Sequence, residues 1–96
     1  MKGILVVYNE AIEAAVWEAV AAAGIEHYTK FEHVLGHGPG SGPRLGDHLW
    51  PGRNCCLFIA AEADKAASLR EHIRKLREEV ASEGLRAFWW EIEGAV

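Results

Sequence analysis

Leu85-Arg86-Ala87-Phe88-Trp89-Trp90-Glu91-Ile92-Glu93 is the stretch that decides the fold. Read as a strand, it places Phe88, Trp90 and Ile92 on one face and Leu85, Ala87 and Trp89 on the other, so both faces are apolar. Two other stretches share that property. Ile4-Leu5-Val6-Val7-Tyr8 is a continuous apolar run rich in β-branched residues, and Arg53-Asn54-Cys55-Cys56-Leu57-Phe58-Ile59-Ala60-Ala61 is apolar on both sides. A fourth segment, Ile25 to Leu35, alternates only in part and reads as another strand.

Two helices fit between these strands. Asn9 offers an N-cap, with Glu10 and Glu13 in a first turn where the helix dipole favours acids. Ile12, Val16, Ala19, Val20 and Ala23 recur at helical spacing, and Gly24 is a natural stop, which predicts a helix over 10–23. In the second helix Asp64 is the expected cap. Ala66, Leu69, Ile73, Leu76 and Val80 form its buried stripe, and Gly84 ends it. Arg70, Glu71, Arg74, Lys75, Glu78 and Glu79 make the solvated face, with Glu71–Lys75 and Arg74–Glu78 pairs expected at i,i+4.

The order is β-α-β-β-α-β, an α+β, ferredoxin-like fold with a four-stranded antiparallel sheet. Right-handed crossovers put both helices on one face of it. Two helices cover one face only, while three strands are apolar on both. The uncovered face therefore predicts an obligate homo-oligomer packed through the open side of the sheet.

Between the second and third strands runs Gly36-His37-Gly38-Pro39-Gly40-Ser41-Gly42-Pro43-Arg44-Leu45-Gly46-Asp47-His48-Leu49-Trp50-Pro51-Gly52. It holds six of the ten glycines and all three prolines, so it is not a regular element. Loops longer than ~12–15 residues in a compact domain are usually functional or disordered. This one concentrates side chains able to bind something.

The chain as a whole sets bounds. Ninety-six residues predict a single domain over 1–96. A hydrophobic content of 50% excludes general disorder. A net charge of −4 without a basic block argues against nucleic acid. The apolar run at the N-terminus is too short for a signal peptide or a membrane span, so the default location is the cytoplasm. Cys55 and Cys56 are strand neighbours pointing to opposite faces, and they read as small core residues rather than a redox centre.

Two binding chemistries are open. His33, His37 and His48, with Asp47 or Glu32, supply imidazole and carboxylate suited to a divalent metal, although no ligand spacing here is diagnostic. His27 and His72 read as surface residues. Alternatively, successive glycine amides form a nest for phosphate or carboxylate, with Arg44 and Arg53 supplying charge and bidentate bonds. Trp50 can stack on a base, but before Pro51 at the strand entrance it reads better as a packing anchor. No serine, cysteine or lysine stands with a base in a nucleophile motif, so the sequence does not argue for an enzyme.

The layout, together with Gly24, Ile25, Thr29 and Glu32 leading to Gly36 and Gly38, resembles the P-II-like signalling proteins at the entry to their T-loop. The resemblance in layout spans nearly the whole chain; the residue matches cover the second strand and the loop entry. It implies a trimer whose sheets face the threefold axis and whose small ligands, adenine nucleotide among them, bind in clefts between subunits. The T-loop-like segment 36–52 then reports the ligand to a partner protein, a transporter or an enzyme. On that basis Gly36, Gly38, Arg44, Trp50, Arg53 and Arg86 are the expected ligand residues, with Arg86 reaching the intersubunit cleft. In place of the glycine-rich phosphate-binding turn before the last strand, this chain has Glu83-Gly84-Leu85-Arg86, and the modified T-loop tyrosine is absent. Both departures point to a short, divergent member. Trp89-Trp90-Glu91 is similar to the last strand of the trimeric CutA proteins, which implies the alternative of divalent metal homeostasis. A structural assembly module without a small ligand is a third possibility.

Overall fold

The computed structural model describes residues 1–36, 53–80 and 84–96. Strands β1 (Lys2–Asn9), β2 (Thr29–Val34), β3 (Asn54–Ala61) and β4 (Leu85–Glu91) form one antiparallel sheet in the order β2-β3-β1-β4. Helix α1 (Glu13–Ala22) follows β1, and helix α2 (Ala63–Glu79) follows β3. This is the βαββαβ arrangement expected.

Strand alternation builds the core. Ile4, Val6 and Tyr8 of β1, Cys55, Leu57 and Ile59 of β3, and Leu85 of β4 all face the helices. They meet Val16, Ala19 and Val20 of α1 and Ala66, Leu69, Ile73 and Leu76 of α2 in a single cluster. Both helices therefore lie on one face. Val80 packs against the same cluster.

The other face carries Leu5, Val7, Phe31, Cys56, Phe58, Phe88 and Trp90. Phe31 is 50% exposed, Phe88 48%, Trp90 42% and Phe58 36%. Phe58 and Trp90 lie against each other with ring centroids 6.1 Å apart. Gly3 pairs with Trp90 across the β1–β4 ladder, and its lack of a side chain admits the indole. A Cβ there would stand 2.5 Å from Trp90 Cε2. Among the described residues nothing covers this aromatic sheet face, in line with the double-sided strands.

Several local expectations need correction. Asn9 accepts from the Ala11 N–H at 2.8 Å, but it caps a 3-10 turn over Glu10–Ile12, and the α-helix begins only at Glu13. Glu62, not Asp64, occupies the N-cap of α2, and Asp64 falls in the first turn, where it still meets the dipole. That helix ends at Glu79, so Gly84 does not stop it. At φ 67° Gly84 instead opens the turn into β4. Arg74 takes both Glu71 at 2.8 Å and Glu78 at 3.4 Å, and among the described residues no Glu71–Lys75 pair forms. The fork-shaped guanidinium reaches both neighbouring turns, which leaves Glu71 engaged. Strand β4 stops at Glu91 rather than Glu93. Strand β2 spans Thr29–Val34 instead of Ile25–Leu35, because Ile25 turns into the core beneath the end of α1.

Candidate ligand-binding end of the sheet

The end of β1 gathers the starts of its two neighbours. Asn9 pairs with Asn54 of β3, and its backbone N–H donates to the Gly84 carbonyl at 2.8 Å. The next backbone N–H, of Glu10, donates to the Arg53 carbonyl at 2.8 Å. Gly84 comes so close that a Cβ on it would stand 2.8 Å from the Asn9 Cβ. Gly36 lies on the same side, since the nearest atom to a Cβ there would be Asn54 Nδ2 at 3.9 Å. The connections at 37–52 and 81–83 therefore join the described residues at one end of the sheet.

Three of the expected ligand residues border this end of the sheet. Gly36 and Arg53 flank the long connection, and both are exposed. Arg86 lies two residues beyond Gly84, on the open face, with its guanidinium carbon 5.5 Å from the Phe88 ring centroid. Among the described residues no carboxylate pairs with Arg53 or Arg86. Exposed arginines at the starts of β3 and β4 are groups that suit an anionic ligand. Gly38, Arg44 and Trp50 lie outside the described residues. So do His37, His48 and Asp47, which leaves His33 and Glu32 as the expected metal ligands that are described. Among the described residues no group of three or more His, Cys, Asp or Glu could hold a metal ion.

His33 stands in an irregular spot. Phe31 pairs with Cys56 and Val34 with Asn54, so β2 contains one residue more than β3 across this step. Such an extra residue is a β-bulge. His33 takes it up at φ 57°, the only non-glycine residue with positive φ among those described.

A polar cluster at the same end, on the helix side, has no counterpart in the sequence pattern. The Tyr8 hydroxyl donates to Glu13 Oε1 at 2.8 Å, and Lys30 Nζ donates to Glu13 Oε2 at 3.0 Å. Lys30 also reaches Glu32 at 3.1 Å and lies 5.3 Å from the Trp17 ring centroid. Burial, reinforced by the Glu13 carboxylate, holds the Tyr8 phenol well above its ordinary value. Partial burial pushes the Glu13 carboxyl up, but hydrogen bonds from Lys30 and Tyr8 outweigh it, so Glu13 titrates below its ordinary value. The bond to Glu13 and then that to Glu32 raise Lys30. Burial raises the Cys55 thiol. Glu13 read in sequence only as a residue suited to a helix start, and nothing local in the sequence ties it to Lys30.

No family model and no curated protein matches the sequence. Solved structures do match. CPII, a nitrogen regulatory PII-like protein from Thiomonas intermedia K12, superposes in its form bound to ADP, AMP and acetate with a TM-score of 0.74 at 15% identity, covering 99% of this chain and 88% of CPII. Its form bound to ADP and bicarbonate gives a TM-score of 0.75 at 18% identity over 95% of this chain and 84% of CPII. A PII-like signaling protein from Thermus thermophilus matches with a TM-score of 0.61 at 24% identity, covering 95% of this chain and 85% of that one. The chain therefore has the fold of the PII-like proteins, as the resemblance at the loop entry implied. Among the described residues no helix is long and apolar enough to cross a membrane.

Proposed function

We propose that the chain is a PII-like regulatory protein that binds an adenine nucleotide, or a related anion, at the Asn9 end of the sheet. In this reading the open face closes a homotrimer, and the ligand lies in the cleft between subunits. Segment 36–52 carries the ligand state to a partner protein. The observation that carries the reading is the fold shared with CPII, a protein that binds ADP and AMP, in which Gly36, Arg53 and the Gly84 entry to β4 border the same end of the sheet. Arg86 supplies bidentate bonds to a phosphate, and its place on the open face brings it toward a neighbouring copy.

Calorimetric titration with ADP, AMP, ATP, zinc and copper tests the proposal. ADP or AMP is expected to bind, and Arg86→Ala to weaken binding roughly 10–100-fold, the loss of a charge-assisted bond of about 1.5–3 kcal/mol. Circular dichroism of the variant should match that of the parent. Heat with zinc or copper and none with nucleotide would turn the conclusion to a metal-binding trimer, and no heat with any of them to an assembly module.

A further inference from the structure

The chain leaves β2 through the extra residue at His33, and a left-handed residue with a Cβ persists only where its surroundings hold it. The surroundings converge on one carboxylate. Glu13 takes the Lys30 ammonium, and Lys30 in turn takes Glu32, the residue before His33. Glu32, the residue that leads into the bulge, is thus tied back through Lys30 to Glu13, which the Tyr8 hydroxyl fixes to β1. The Trp17 ring lies along Lys30 and limits its excursions. The ion pairs at the opposite end of the sheet, Lys2 and the N-terminal amine with Glu91, share no member with this cluster.

We propose that Glu13 is a positioning residue: through Lys30 it holds Glu32 at the entry to the left-handed bulge at His33, and so sets the direction in which the chain leaves β2 toward Gly36. The tie runs to the residue that enters the irregularity at the mouth of the long connection, a place that general stability alone does not single out. The consequence for the ligand rests on the proposed function; the consequence for the bulge does not.

Amide hydrogen exchange on the full chain tests the bulge. Glu13→Gln keeps the size and a hydrogen-bonding group but removes the charge. It should speed exchange at residues 31–36 by about tenfold or more relative to β1 and β4, the signature of local rather than global opening. Lys30→Arg, which keeps the cation, should stay near the parent. Leu69→Ala, a core change on α2 away from the cluster, should raise exchange without singling out 31–36. If Glu13→Gln is too unstable to measure, Lys30→Met should give the same local pattern. Exchange at 31–36 that rises no more in the charge-removing variant than in Leu69→Ala would overturn the proposal. A second arm measures ADP affinity, expected to fall about tenfold more in Glu13→Gln than in Leu69→Ala, about 1.4 kcal/mol. A parent chain that fails to bind ADP would sink the nucleotide reading, while the exchange result would still decide the role of Glu13.

Discussion

Phe88→Asp addresses the uncovered aromatic face directly. Phe88 is 48% exposed in the single chain, so about half of its surface packs within the chain and about half is left for a neighbour. Full burial of an aromatic side chain covers roughly 150–250 Å², which leaves about 100 Å² of Phe88 for a neighbour to cover. At ~25 cal/mol per Å² that burial contributes about 2.5 kcal/mol for each copy, so removing it weakens association roughly 60-fold per copy. An aspartate in its place adds the cost of burying a charge, so the figure is a lower bound. Sedimentation velocity at micromolar concentration should find the parent assembled and Phe88→Asp as single chains with parent-like circular dichroism. A parent that sediments as a folded single chain contradicts this account. So does a variant that keeps the parent's mass, because covering the aromatic face would then not be what drives assembly.

Two further outcomes follow from the same geometry. Gly84→Ala places a Cβ at φ 67° and 2.8 Å from Asn9 Cβ. Urea denaturation should therefore show a loss of about 1–3 kcal/mol. Acid unfolding should depend on Glu13. Its carboxyl titrates below its ordinary value of 4.5, so the stability it contributes is fully present above that pH and is lost as pH falls through the folded-state value. Glu13→Gln should therefore flatten the loss of stability on acidification below about pH 4.5, measured as urea midpoints against pH, relative to the steeper parent curve.

The strands β1, β3 and β4 and both helices were legible because each carries a long apolar pattern of one period, and because the mismatch between double-sided strands and two helices leaves few ways to arrange them. Strand β2 was less so. Ile25 is apolar enough to look like strand but serves as a plug under α1, and no residue type announces that His33 turns left-handed. Helix caps misled for a simpler reason: Asp64 is a better capping residue than Glu62, yet the chain direction leaving Ala61 places the turn two residues earlier. At the candidate site, the placement of Arg53 and Arg86 on either side of the end of β1 follows once the antiparallel order is known, since β3 and β4 both start there. The Glu13 cluster was not legible. Tyr8, Glu13 and Lys30 meet only because the end of β1, the start of α1 and the helix-facing side of β2 are brought together by the fold.

Trp89 and Trp90 give β4 no ruler where they stand, since a slip by one residue would exchange one indole for the other and each face would still receive a tryptophan. Leu85 and Arg86 mark the alignment at the start of the strand, because a slip would carry Arg86 into the core. At the other end the partner strand marks it: Gly3 is the one notch in β1, and the Trp90 indole fills it. A residue with no side chain thereby tells a strand with two interchangeable ones where to stop.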